Sequence, residues 1–142
     1  MLENVRKRMG REEGFTLVEL LVVMLILGIL AAIAIPSFLS QRDKAHDADA
    51  KAAARTAQTA AETYGTDHDG FADMDPAALI AIEPTLGDTP GAFTAAPGAD
   101  AANDYEVSVA SSTGTVFTVT REGGTSTQSC APDGGGCTDG EW

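Results

Sequence analysis

A long apolar run near the N-terminus constrains this chain more than any other feature. The run covers residues 15–35, and its members are plainly apolar apart from Thr16, Glu19 and Gly28. At about 1.5 Å per residue, a helix of this length covers roughly 31 Å, close to the hydrocarbon thickness of a bilayer. The run therefore predicts a helix that is able to span a membrane.

The acidic residues are concentrated in the part of the chain that includes and follows this run. Residues 1–14 hold four of the nine basic and three of the 21 acidic residues, so the remaining 128 residues carry a formal charge of −13. A surface this acidic repels phosphate backbones, which argues against nucleic acid as the main ligand. The basic residues beside the run favour a cytoplasmic N-terminal end.

Three kinds of segment share this pattern. In an ordinary secretory signal peptide, the small residues of Ala32-Ile33-Ala34 serve as the cleavage site. In a plain signal anchor, the run holds a soluble body at the membrane surface. In the third kind, cleavage falls before the run, which then remains part of the mature protein.

Glu19 discriminates between these interpretations. A carboxylate costs about 2.5–3.5 kcal/mol at the centre of a membrane helix on insertion scales, and less near its end. A signal peptide or an anchor gains nothing from this residue, whereas a polymerising subunit does. Cleavage after Gly14 creates an α-amino group on Phe15, one helical turn from Glu19. The carboxylate of one subunit is then able to pair with the amine of a neighbour.

The string GFTLVELLVV at residues 14–23 resembles the cleavage and methylation site of type IV prepilins and pseudopilins. The resemblance implies a prepilin peptidase that cuts between Gly14 and Phe15 and then N-methylates Phe15. Pro36, which lies 21 residues after Phe15, matches the helix-kinking proline of many pilins. The resemblance covers about residues 14–40, where the glycine, the aromatic residue, the glutamate and the apolar run coincide.

The resemblance implies an organisation and a function for the whole chain. Residues 1–14 are a leader, residues 15–40 are a transmembrane and assembly helix, and residues 41–142 are the globular pilin body. The function implied is that of a structural subunit of a type IV pilus, polymerising through its apolar helix. Its partners are other copies of itself, the prepilin peptidase and methylase, the pilus assembly platform and, before assembly, membrane lipid. The precursor is expected in the cytoplasmic membrane and the mature protein in an extracellular filament.

Two alternative functions remain open at this point. Within the same family, the chain could be a pseudopilin of a type II secretion or DNA-uptake apparatus. In a different class, it could be a membrane-tethered binding module that does not polymerise. Neither histidine has a neighbouring pattern typical of a nucleophile and base, and no phosphate-binding glycine loop is found, so we expect neither an enzyme nor a cofactor.

The residues after the apolar run predict a long helix. Residues 37–64 are rich in alanine and free of glycine and proline, and Asp47 and Lys51 stand four apart with the acid first. A continuous helix over residues 15–64, capped by Gly65, would present small alanines to a sheet. Gly28 and Pro36 are candidate points of bending.

Four aspartates near the end of this helix form a weak calcium candidate: Asp67, Asp69, Asp73 and Asp75. Their spacing around Gly70 is similar to that of a calcium loop, but a full twelve-residue loop would place Gly65 and Pro76 at its end positions. A solvated connecting loop is the alternative. His46 and His68 lack a second histidine or cysteine at ligand spacing, which argues against zinc.

The remainder of the chain predicts a short helix and a small antiparallel sheet. Asp75 is expected to cap a helix over residues 77–83, and residues 85–103 to form an irregular loop. Strands are predicted at residues 105–110 and 115–121, with a short third strand at residues 125–130. The side chains expected to face inward are Tyr105, Val107, Val109, Phe117 and Val119. The predicted fold is therefore α+β and pilin-like, with the long helix packed on the sheet.

Cys130 and Cys137 bracket the polar loop APDGGG close to the C-terminus. In an exported body a disulfide is the expected state, and a ring of this size stabilises by about 2–3 kcal/mol. A metal pair is the alternative, although two ligands do not make a zinc site. The placement resembles the C-terminal disulfide loop of many pilins, but this loop is much shorter. Trp142 either packs back onto the sheet or faces a neighbouring subunit.

Overall fold

The computed structural model describes residues 14–142, so that all of the predicted leader except Gly14 lies outside it. Two units are present, one ending at Phe38 and the other comprising Leu39–Trp142. The elements, in chain order, are α1 (Leu17–His68), α2 (Pro76–Ile82), a 3-10 helix (Pro84–Asp88), β1 (Phe93–Pro97), β2 (Tyr105–Ala110), β3 (Val116–Glu122) and β4 (Thr125–Ala131).

Helix α1 is 52 residues long and continues past the predicted end at Gly65. It ends instead at His68, where Asp69 takes a left-handed conformation with φ of 55° and the amide of Gly70 donates to the carbonyl of Gly65 over 3.1 Å. These two features are those of a Schellman cap. The prediction that Gly65 caps the helix is therefore wrong.

Gly65 has a packing role inside the helix. A Cβ atom at this position would lie 2.5 Å from the Phe71 ring, which is buried against the helix end. Phe71 also contacts Tyr105, with ring centroids 4.8 Å apart. The glycine therefore makes room for an aromatic side chain of the core, a requirement that is invisible in the local sequence.

A narrow stripe of α1 is buried in the body, with spacings of three and four residues. Its members are Asp47, Ala50, Ala54, Ala57, Ala61 and Tyr64, with Ala60 alongside. This spacing keeps all of them on one helical face. The small side chains let the sheet lie close to the helix, as the alanine-rich composition predicted. The alanines at positions 45, 48 and 52, in contrast, are exposed.

The sheet is antiparallel, with strand order β1-β2-β3-β4. Val107 is opposite Val119 and Val109 is opposite Phe117, and all five side chains predicted to face inward are fully buried. Strands β2, β3 and β4 begin and end within one residue of their predicted bounds. The α+β, pilin-like fold is confirmed.

The segment predicted as an irregular loop contains two regular elements, so that prediction is wrong over much of its length. Residues 84–88 form the 3-10 helix, and β1 pairs with β2 along the edge of the sheet, with Phe93 opposite Val109. Strand β1 is composed of FTAAP and buries only Ala95. Alanine and proline disfavour strands, so tertiary pairing outweighs local propensity here.

The short helix α2 is positioned as the sequence indicated. The Asp75 carboxylate accepts a hydrogen bond from the amide of Ala78 at 2.7 Å, and Pro76 occupies the first helical position. Leu79 is fully buried in the core, and Leu86 from the 3-10 helix is buried beside it. Asp75 is therefore an N-cap that fixes the entry of this helix.

Candidate assembly helix and the contacts of the body

The Gly14–Phe15 peptide bond lies just before α1. Residues 14–16 are exposed and not helical, and the helix begins at Leu17. The Thr16 hydroxyl accepts a hydrogen bond from the amide of Glu19 at 3.2 Å, and the Thr16 carbonyl accepts from the amide of Leu20. Thr16 is thus the N-cap, and the bond predicted to be cut lies in non-helical backbone, outside the hydrogen-bonded helix.

Glu19 lies in the first turn of α1 and its side chain is exposed. A carboxylate in the first turn interacts favourably with the helix dipole. Glu19 thus lies four residues after Phe15, close to the start of the helix. Gly28 and Pro36 both lie within the continuous helical span of α1.

Within residues 14–142, no other segment covers the apolar part of α1. Its large side chains are exposed, from 48% at Val22 and Val23 to 73% at Leu17. An apolar surface this large marks a membrane or protein contact, because water does not solvate it favourably. By length and composition, α1 is able to cross a membrane, and no residue of its most apolar stretch of 18 residues is buried.

In the body, Asp47 is a buried carboxylate that connects three segments. Its side chain is 1% exposed and accepts from the Thr113 hydroxyl at 2.6 Å and from the amide of Gly136 at 2.7 Å. Burial alone would raise the pKa of Asp47, but the hydrogen bonds from Thr113, Gly136 and Ser111 and the charge of Lys51 together outweigh burial and lower it. Lys51, which sequence reasoning paired with Asp47, donates to the carbonyl of Gly136.

A second carboxylate on α1 contacts the sheet. Glu62 accepts from the buried Tyr105 hydroxyl at 2.9 Å and forms an ion pair with Arg121 of β3. Burial and the hydrogen bond to Glu62 raise the pKa of Tyr105. Arg121 also lies over the Phe71 ring, with the guanidinium carbon 5.6 Å from its centroid.

Comparison of the sequence with known proteins shows which family the chain is similar to. The family model described as the prokaryotic N-terminal methylation motif matches residues 9–35. The major component of the type IV wide pilus of Thermus thermophilus is 37% identical over 109 residues, covering 77% of this chain and 81% of that protein. The chain belongs to the type IV pilin and pseudopilin family.

Other members of the pilin and pseudopilin family are similar over shorter stretches. The type IV major pilin of Myxococcus xanthus is 37% identical over 97 residues, which is 68% of this chain but 41% of the relative. Core protein G of the Vibrio cholerae type II secretion system is 35% identical over 69 residues, or 49% of this chain and 47% of the relative. This pilin-like chain thus spans less than half of both. No solved structure gives a significant match.

The cysteines of this pilin-like chain are bonded to each other, with Cα atoms 5.8 Å apart. The disulfide, and not the metal pair, is thus the state of Cys130 and Cys137 in the structure. Trp142 takes the first of its two predicted positions. Its ring packs edge-on against Phe117, and its indole nitrogen donates to the carbonyl of Ser129 at 2.9 Å.

The four aspartates of the weak calcium candidate are exposed and spread over several local structures. Asp67 lies in the last turn of α1, Asp69 follows the helix end, Asp73 lies in a turn, and Asp75 caps α2. Across residues 14–142, no group of three or more acidic, histidine or cysteine side chains is arranged to hold a metal ion.

Sequence reasoning missed the burial of Asp47 and the pairing of Glu62. A buried stripe with spacings of three and four residues runs through position 47, so helical periodicity could have identified Asp47 as inward-facing. Its partners could not have been identified in this way, because Thr113 and Gly136 lie 66 and 89 residues further along the chain.

Proposed function

We propose that this chain is the structural subunit of a type IV pilus and polymerises through the apolar part of α1. The observation that carries the proposal is the uncovered apolar surface of α1 with Glu19 in its first turn. A bilayer covers this surface in the precursor, and neighbouring helices cover it in a filament. Because both surroundings are apolar, transfer between them changes the hydrophobic free energy little.

Glu19 provides the specific interaction in this mechanism. A prepilin peptidase removes residues 1–14 and methylates the new N-terminus at Phe15. The charged amine then pairs with Glu19 of an adjacent subunit, so that neither charge is left alone in an apolar environment. Residues 15–40 act first as a single membrane span and then as the assembly helix, while residues 41–142 form the body.

The extent of similarity supports a pilus subunit. The match to the Thermus wide-pilus component extends over most of both chains, whereas the match to the Vibrio secretion protein covers about half of each. A pseudopilin of a secretion apparatus is the second candidate, and similarity to that core protein is the observation that favours it. In that case short fibres would form, and deletion of the chain would stop secretion.

The decisive experiment is mass spectrometry of filaments sheared from cells that express the full precursor. An abundant species beginning with N-methyl-Phe15 is expected. A mature N-terminus at Ile35 would instead identify an ordinary signal peptide and contradict the proposal. If long filaments are absent and deletion of the chain blocks secretion, the pseudopilin function replaces that of the pilus subunit.

A matched pair of variants tests the role of Glu19. Glu19→Gln keeps the shape of the side chain and removes its charge, so the amine loses its partner and the yield of sheared filaments should fall by roughly tenfold or more. Glu122→Gln makes the same change at an exposed position of β3 and should leave the yield unaffected. Normal yield with Glu19→Gln would favour a membrane-tethered module that does not polymerise.

A further inference from the structure

Both backbone polar groups of Gly136 are bound by side chains of α1. Its amide donates to Asp47 at 2.7 Å, and its carbonyl accepts from Lys51. Thr113, which follows β2, donates to the other oxygen of Asp47 at 2.6 Å. The Asp47 carboxylate is 1% exposed, so these hydrogen bonds form in a water-poor environment where they are strong.

The glycines between the two cysteines are required for this contact. A Cβ atom at Gly135 would lie 2.2 Å from Oδ2 of Asp47, and one at Gly136 would lie 2.8 Å from Cβ of Asp47. Gly135 also has a φ of +57°, which L-residues with side chains rarely adopt. The run of glycines therefore allows the loop to approach the carboxylate.

The disulfide and the carboxylate restrain the same short segment. Cys130 and Cys137 close a ring that contains Gly135 and Gly136, and both sulfur-bearing residues are buried. A restraint that orders a segment lowers the entropic cost of a second restraint on it. Linkage then requires that each restraint strengthens the other by the same factor.

We propose that the Asp47–Gly136 hydrogen bond and the Cys130–Cys137 disulfide are coupled, with Asp47 acting as the positioning residue for cysteine oxidation. With the loop docked on Asp47, the two thiols are held close together and their effective concentration rises. Oxidation joins them in one S–S bond, and two electrons and two protons pass to an external disulfide, which becomes two thiols. The closed ring in turn holds Gly136 on α1. This coupling does not depend on the proposed pilus function.

The coupling is tested on the full chain in detergent, equilibrated with glutathione buffers. Two glutathione thiols reduce the protein disulfide, yielding two protein thiols and one glutathione disulfide. Asp47→Ala should shift this equilibrium toward the reduced protein by roughly tenfold, because a charge-assisted hydrogen bond to the loop is lost. Glu62→Gln is the control, since it removes a charge from the other helix–sheet contact without touching the loop. An equilibrium within about twofold of wild type in Asp47→Ala would overturn the coupling.

A second measurement keeps the test decisive if Asp47→Ala does not fold. In the Cys130→Ser/Cys137→Ser variant, the carboxyl titration of Asp47 followed by NMR should move up toward the ordinary aspartate value. The amide of Gly136 should exchange with solvent roughly tenfold faster. If both remain as in the oxidised chain, the loop docks without the disulfide and the proposal is wrong.

Discussion

The hydroxyl of Tyr105, at the start of β2, donates a 2.9 Å hydrogen bond to Glu62 on α1. Together with Asp47, fifteen residues earlier, Glu62 provides a polar contact at each end of the helix segment that lies on the sheet. The buried residues between them are alanines, whose similar size specifies little about position along the helix axis. The two carboxylates thus supply polar contacts at defined positions along a helix face whose other buried side chains are uniform in size.

Removal of the Tyr105 hydroxyl should destabilise the body. Tyr105→Phe leaves a carboxylate oxygen of Glu62 without its donor and should lower the free energy of unfolding by about 1–2 kcal/mol. Chemical denaturation followed through the fluorescence of Trp142, the single tryptophan, measures this change. Tyr64→Phe is the control, because no hydrogen bond to the Tyr64 hydroxyl is found within residues 14–142, and it should have little effect. Equal losses in both variants would contradict this role of the hydrogen bond.

The stability supplied by Asp47 should depend on pH in the acid range. Its pKa is lowered from an ordinary value of 3.8, with Thr113, Ser111, the amide of Gly136 and Lys51 around it. A lowered folded-state pKa gives stability that is present above the ordinary pKa and is lost as the pH falls through the folded value. Wild type should exceed Asp47→Asn in stability near pH 6, and the difference should shrink toward about pH 2. A difference that grows on acidification would contradict the assignment.

Gly135→Ala should lower the free energy of unfolding by more than backbone strain alone explains. Gly123 has a similar φ, +55°. Apart from its chain neighbours, no atom of residues 14–142 lies within 4 Å of the place that an alanine methyl would take, so Gly123→Ala measures the strain, about 1 kcal/mol. Gly135→Ala adds a clash with Asp47 and should cost about 1–3 kcal/mol more. In an Asp47→Ala background, the additional loss of stability caused by Gly135→Ala should vanish. If it persists there, Asp47 is not the source of the clash.

Enlarging an alanine of the buried stripe should separate the helix from the sheet. Ala57 is fully buried, so Ala57→Leu overpacks the contact and should lower the free energy of unfolding by about 1–3 kcal/mol or more. Ala52 lies on the exposed face, where leucine and alanine have similar helix propensity. Ala52→Leu should therefore change stability by less than about 0.5 kcal/mol, as measured by denaturation. Equal effects at the two positions would contradict the observed packing.

The sequence predicted most of the elements because their signals are local. Alternation of bulky and small residues identified β2 and β3, and an aspartate before a proline identified the cap of α2. The two errors arose where the residue type at one position did not decide the local structure. Strand β1 forms because β2 provides its hydrogen bonds, and α1 continues past Gly65 because the cap forms at Asp69 and Gly70 instead.

The candidate assembly residues could be proposed from the sequence for the same reason. Gly14, Phe15 and Glu19 lie within six consecutive positions, and an apolar run long enough for a bilayer follows directly. No tertiary contact is needed to recognise such a segment, since its length and composition alone identify it.

The sequence by itself determined an exposed apolar helix with one carboxylate, an acidic body and an α+β fold, because composition and periodicity act over a few turns or strands. Only the tertiary structure decided that Asp47 is buried and which groups Asp47 and Glu62 bind. Asp47 accepts a hydrogen bond from Gly136, which lies 89 residues later in the chain, and Glu62 accepts one from Tyr105, which lies 43 residues later. Such pairings form only when the packed elements bring distant backbone and side-chain groups together. A carboxylate such as that of Asp47 is stable in a buried position only where these groups donate hydrogen bonds to it.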